Sequence, residues 1–316
     1  MRLLLAALLA FAFPAIGQDS YPSKPIRIVV GYSAGGGNDL IVRALAPKMQ
    51  EALGQPVVVE NKPGAQSIIA ADLVSKAAPD GYTVLMGPSG PMAINPATYS
   101  KLPYNSQADF APVGMICSFP LVVVVNPQSQ IRSIQDLIAY AKANPGKANY
   151  ASSAGVFQVS TELFKQKTGT DFVLIPYKGS GDSVQAVVQG LVTTTFVDPA
   201  PVSGPLKAGT VRGLAVTSAK RHPSWPELPT FAELGMPDLE MPIWTGFFVP
   251  AKTPAAVIAR LNREMVRAVQ SPEVRERFSA LGVQPEGGTP EDLARTLARD
   301  IQRWSAVAKA ANIKND

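Results

Sequence analysis

The chain has 316 residues, of which 46% are hydrophobic and 17% charged, with a formal net charge of +5. That balance excludes a disordered chain, and the absence of any Lys/Arg-rich run argues against nucleic-acid binding. A single cysteine, Cys117, excludes an internal disulfide and a cysteine-based zinc site, and its apolar neighbours mark it as a small core residue.

Arg2, an apolar run from Leu3 to Phe13, Pro14, and then Ala15-Ile16-Gly17 read as a secretory signal peptide over residues 1–17. It is too short to span a bilayer. The mature protein is therefore expected to be soluble and exported; the family resemblance given below implies the periplasm.

Beyond the leader, strands are expected at 26–30, 56–60, 83–86, 121–125, 148–151, 172–177, 192–197, 213–217 and 246–249. Helices are expected between them, at 39–53, 66–77, 133–143, 159–167, 181–189, 254–270, 272–281 and 290–311. Continuous Val/Ile/Leu strands alternating with helices indicate an α/β protein with mostly parallel sheets, and the length favours two lobes. Gly54 and Gly169 fit helix stops, Ser271 and Thr289 fit helix caps before Pro, and Pro47 should kink the first helix or mark its end.

The run Ile26–Arg43 passes from a strand through Ser33, Ala34, Gly35, Gly36 and Gly37 into a helix. Such a loop aims free amides and the positive end of a helix at one point, which suits an anion. It also fits a plain capped turn. It matches neither the dinucleotide fingerprint nor the P-loop. Asp39 should orient the loop and stay off the anion, because two negative charges repel. Ser89 follows a strand and would reach the same crevice. In the second half, Ser152, Ser153 and Gly155 form a similar loop. Lys178 and Gly179 follow another strand, and Asp198 ends a third. Each of these also fits an ordinary turn or surface position.

Catalytic patterns are weak. His222 is the sole histidine and reads as a surface-loop residue. No nucleophile elbow and no metal motif is present. Neither a cofactor nor a metal is expected.

Several segments in order carry a resemblance. They are Tyr21–Ile26, Ala34–Asp39 with Arg43, Gly54–Gly64 (GQPVVVENKPG), Ala78–Thr83, Ile94–Pro96, Pro176–Gly179, Leu214–Ser218 and Leu228–Thr230. The chain resembles the Bug family of periplasmic receptors for tripartite tricarboxylate transporters over nearly its whole mature length. It departs at Tyr32-Ser33-Ala34, where prolines are usual, and at Gln158 and Thr193, where histidine and aspartate are usual.

The resemblance implies a two-lobed flytrap of the type II periplasmic-binding-protein kind, with lobe one over 24–117 and 243–316 and lobe two over 118–242. It implies a small carboxylate in the cleft, held by amides and bridging waters at Ser33, Ala34, Gly35 and Gly36, with Asp39 in support. The second loop would be Ser152–Phe157. Ser89, Ser153 and Lys178 would probe the rest of the ligand. The expected partners are that ligand and the membrane permease subunits, with the receptor acting as a monomer. The alternatives are an exported hydrolase or lyase acting on a carboxylated molecule, and a ligand-sensing co-receptor for a membrane sensor.

Overall fold

The computed structural model describes residues 21–315; the leader assigned to 1–17 lies outside them. In chain order the elements are β1 (Ile26–Val30), α1 (Gly37–Leu53), β2 (Val57–Asn61), α2 (Ile68–Ser75), β3 (Thr83–Pro88), α3 (Asn95–Thr98), β4 (Phe110–Phe119) and β5 (Val122–Val125). Then come α4 (Ile134–Ala143), β6 (Asn149–Ser152), α5 (Gly155–Thr168), β7 (Val173–Pro176), α6 (Ser180–Val188), β8 (Thr194–Val197), α7 (Pro199–Ala208) and β9 (Arg212–Val216). The chain closes with β10 (Ile243–Pro250), α8 (Ala255–Val269), α9 (Pro272–Ala280), β11 (Gln284–Pro285) and α10 (Pro290–Ala310).

Two sheets result, ordered β11-β4-β10-β3-β1-β2 and β7-β6-β8-β5-β9. The α/β, two-lobed expectation holds, but the sheets are mixed and not mostly parallel. β2, β1 and β3 run parallel, whereas β10, β4 and β11 pair antiparallel. In the second sheet β5 is antiparallel to both β8 and β9. The chain leaves the first sheet by β4 and returns to it by β10, and two neighbouring strands that run out and back are necessarily antiparallel.

β4 and α7 were not anticipated. Pro112 and Gly114 break the apolar rhythm of β4, and its pairing with β10 is irregular. α7 begins on Pro199 and contains Pro205. A proline in the first turn costs little, because its missing N–H would have had no intrahelical acceptor.

Helix signals are mostly obeyed. α1 runs through Pro47 and stops at Gly54, whose φ is +68°. Gly169 ends α5 the same way. Thr289 and Asp292 form a reciprocal capping box at α10. Ser271 does not cap α9; its hydroxyl donates instead to the Ala268 carbonyl at 2.8 Å.

The core binds the two lobes together. One apolar cluster contains Val29 and Leu85 of the first sheet with Val123 and Phe196 of the second. Cys117 is fully buried, and burial pushes its thiol well above the usual range, so it is an inert core residue. Trp244 is buried and donates from Nε1 to the Asp300 carboxylate at 2.7 Å.

Candidate functional site

The carboxyl ends of β1, β3, β6, β7 and β8 face one cavity of about 260 Å³ between the lobes. Ligands of open α/β sheets sit at such ends. A larger hollow of about 600 Å³ lies elsewhere, at the start of β6 and β8 around Asn149 and Thr193.

Four helices start at the interlobe cavity. It is bordered by Gly37 and Asn38 of α1, by Ala154 and Val156 at α5, by Ser180 of α6, and by Asp198 and Pro199 at α7. First-turn amides have no intrahelical acceptor, and each helix start carries partial positive charge. The walls are apolar: Ile41, Phe119, Phe157, Ile243, Leu281 and Val283.

The first loop is built differently from the sequence expectation. Ser33, Ala34, Gly35 and Gly36 are exposed and do not line the cavity. The Gly35 amide donates to Asp39 Oδ2 at 2.8 Å, and the Gly36 amide donates to the Ser33 carbonyl at 3.2 Å. These two amides are therefore already used. The lining falls to Tyr32, just before the loop, and to Gly37 and Asn38, just after it.

Asp39 is buried and holds the turn together. Its carboxylate accepts from Gly35, from Arg43 Nε at 2.8 Å and from Asn61 Nδ2 at 2.9 Å. Burial alone would raise its pKa, but Arg43, Gly35 and Asn61 outweigh burial and lower it.

The other candidates scatter around the cavity. Ser89 is buried with no hydrogen-bond partner for its hydroxyl, between the lining residues Pro88 and Gly90. Ser152 is buried and donates to the Ala154 carbonyl at 3.1 Å. Ser153 lies 3.4 Å from the Ser180 hydroxyl, which itself borders the cavity. Gly155 is the buried first residue of α5, and Gly179 precedes α6. Lys178 is exposed and outside the lining, as suits a long charged chain that keeps its ammonium in water.

Of the residues anticipated, Asp198 lines the cavity, and so do Ala154, Val156 and Phe157 of the expected second loop. The Asp198 Oδ1 is buried with no partner, and burial raises the pKa of this carboxyl, with the Ser180 hydroxyl opposing.

His222 is not a surface residue. It is buried, and its ring stacks on Trp225 with centroids 4.6 Å apart. It lies behind the turn that carries Leu281 and Val283, in contact with the Gly282 backbone.

Sequence reasoning missed Tyr32, Asn38, Phe119, Leu281 and Val283. The first two adjoin the recognised loop. The others come from strand ends and turns whose place depends on how the lobes pack.

This arrangement defines a two-lobed periplasmic binding protein, with a small-molecule cavity between lobes that the chain crosses twice. The family model described as "Tripartite tricarboxylate transporter family receptor" matches residues 41–313. Protein BugT of Bordetella pertussis is 38% identical over 302 residues, covering 95% of this chain and 93% of the relative. A solved structure described as a periplasmic transporter is 38% identical, with a TM-score of 0.80 over 94% of this chain and all of the other. Rpa4515 of R. palustris, solved with adipate, is 35% identical, with a TM-score of 0.80 over 93% of this chain and 99% of the other. The chain belongs to the tripartite tricarboxylate transporter receptor family. It is a solute-binding receptor of the Bug group and not an enzyme.

Proposed function

We propose that this receptor holds a small carboxylate in the interlobe cavity and presents it to the permease subunits of a tripartite-tricarboxylate-type transporter. The observation that carries this reading is the convergence of α1, α5, α6 and α7 starts on one space between the lobes. An anion there meets several unpaired donors without a counter-cation, which offsets the cost of removing its charge from water. The adipate bound to the Rpa4515 relative supports a carboxylate as the ligand class.

The carboxylate is read by first-turn amides of α1 and α5, near Gly37, Asn38 and Val156. Asp39 and the Ser33–Gly36 loop hold α1 in place from outside, and Ser89, Ser152 and Ser153 support the cavity's rim. The lobes divide near residues 117–120 and 237–242, giving lobe one 24–117 with 243–316 and lobe two 118–242. These crossings serve as the hinge on which ligand entry depends. The receptor works as a monomer in the periplasm after a leader is cleaved behind Gly17.

Thermal-shift and calorimetric titration with a panel of mono-, di- and tricarboxylates tests the reading. At least one acid should bind saturably and raise the melting temperature as its concentration exceeds Kd. A complete lack of binding across the panel overturns it. Transport of that acid by membranes carrying the permease, only when the receptor is added, tests the partner.

A further inference from the structure

We propose that His222 is a positioning residue for lobe closure: together with Pro199 it clasps the Gly282 turn of the opposite lobe, and protonation of its ring loosens the clasp. The proposal rests on the two-lobed receptor reading and adds the contact that sets how firmly the cavity shuts.

The contact joins the two sheets. Gly282 lies between α9 and β11, and β11 is an edge strand of the first sheet, paired with β4 at Ser118 and Cys117. His222 follows β9, an edge strand of the second sheet, and Pro199 opens α7 directly after β8 of that sheet. Pro199, Leu281 and Val283 all line the interlobe cavity. The contact therefore lies on the cavity side of the two crossings, where opening of the lobes pulls it apart.

Its geometry is demanding. Gly282 has φ +69°, and a Cβ there would come within 2.7 Å of the Pro199 Cβ, so glycine is what permits the approach. The Gly282 amide already donates to the Ser279 carbonyl at 3.0 Å, which leaves the Gly282 carbonyl for the His222 ring. On the other side of the ring, Nδ1 accepts from the Ser224 amide at 3.3 Å. This pattern assigns the proton of the neutral ring to Nε2, which donates across the lobes. Stacking on Trp225 holds the ring in that orientation.

A second proton would go to Nδ1, where it meets the Ser224 N–H, donor against donor. It would also charge a ring that is only 4% exposed. Opening returns the ring to water, so the open form takes the proton more readily and falling pH favours it. Few other charges face the ring. On its own loop Lys220 is exposed, and Arg221 is held by Glu233 and the Pro226 carbonyl. Residues 279–285 of the opposite turn include no titratable group, and Glu286 beyond them accepts from the Ser118 hydroxyl. At the start of α7, Asp198 prefers its neutral form in the closed cavity, so acid acting through it favours closure. Opening in acid is therefore the signature of His222.

The test measures interlobe distance in the ligand-free mature protein by double electron–electron resonance. Nitroxides are placed on Lys207→Cys of α7 and Glu276→Cys of α9, both exposed positions, while the buried Cys117 stays unlabelled. A short distance should dominate at about pH 8, and a longer one should grow in as pH falls past 6.5, within the range where circular dichroism shows the fold intact. His222→Gln keeps a donor at the Nε2 position and does not titrate, so it should stay closed throughout. His222→Ala should raise the open population about fivefold at the higher pH, the scale of one lost hydrogen bond. Gly282→Ala should open the protein from the other lobe, and adding Pro199→Gly should restore the short distance.

A ligand-free protein that is open at about pH 8, or acid opening that survives in His222→Gln, overturns the proposal. So does a His222→Ala or Gly282→Ala variant that stays shut, or a Pro199→Gly that restores nothing. Each of these leaves carboxylate binding untouched, because no ligand enters the readout. A carboxylate panel that fails to bind strikes the receptor reading instead and leaves these distances as they are.

Discussion

The Gly35 amide and the Arg43 Nε both donate to Asp39 Oδ2, each at 2.8 Å. One buried oxygen thus ties the glycine loop to the second turn of α1. The native pKa of Asp39 is lowered, so its ionised form contributes stability above the ordinary value of 3.8, and that contribution is lost as pH falls through the native value. Asp39→Ala should cost about 1–3 kcal/mol near neutral pH, since it removes the charge-assisted hydrogen bonds from Gly35, Arg43 and Asn61. Urea denaturation measures this. The gap between the two proteins should shrink below the ordinary carboxylate pKa, and a gap that persists unchanged in acid would show that the charge is irrelevant.

Gly37 gives a test of the site itself. It opens α1 and lines the cavity, and a Cβ added there meets nothing within 4 Å. Gly37→Val should therefore fold normally and fill ligand space, weakening carboxylate binding by about tenfold or more, the scale of a blocked polar contact. Gly36 is the contrast. It is exposed, with φ −74°, and an added Cβ meets only the Ser33 carbonyl at 3.2 Å. Gly36→Val should leave affinity close to that of the unmodified protein. Equal losses in both variants, by calorimetry, would move the anion back onto the exposed loop.

These two glycines show how far the sequence could be read. The strand-glycine-helix pattern points to the end of β1 that borders the cavity, because strand hydrophobicity and glycine freedom are local properties. Which amides remain free is not local. It depends on Asp39 turning back to take Gly35, and on the angle at which α1 meets the second lobe. The apolar wall was illegible for the same reason. Phe119 ends a strand broken by Pro112 and Gly114, while Leu281 and Val283 flank a turn more than 150 residues further along. Asp198 was legible because it ends an unbroken buried strand, and β8 carries it straight to the cavity.

The segment after β2 stores backbone strain. Ala65, Gln66 and Ser67 have φ of +44°, +50° and +69°, a region L-residues occupy at a cost of order 1 kcal/mol or more each. The surroundings enforce it: Asn95 Nδ2 donates to the Gln66 carbonyl at 3.1 Å, and the Ser67 hydroxyl occupies the space where Gly31 lacks a Cβ. The Gln66 side-chain oxygen reaches across to the second lobe, 3.5 Å from where a Cβ would sit on Gly155. Gln66→Gly should raise stability by about 1 kcal/mol through relief of that conformation. A fall in the denaturation midpoint would mean that the contact across the lobes outweighs the strain.

His222 makes the last prediction, and it concerns acid. Its Nδ1 accepts the Ser224 amide at 3.3 Å, and the ring also bonds the Gly282 backbone. Gly282 in turn sits where a Cβ would strike Pro199 at 2.7 Å, so this turn is pressed against the start of α7. Burial lowers the His222 pKa below 6.5, with the Gly282 bond opposing. The unfolded chain therefore binds the proton first, and stability is lost as pH falls from 6.5 towards the native value. Asp198, whose pKa is raised, acts with the opposite sign, because its neutral form is the one the fold prefers. A single substitution separates them. His222 is the only histidine, so His222→Asn should remove the downward slope of stability as pH falls below 6.5, leaving any Asp198 contribution as a rise. Denaturation curves across that range decide the matter: a slope that survives the substitution would place the acid sensitivity elsewhere in the fold.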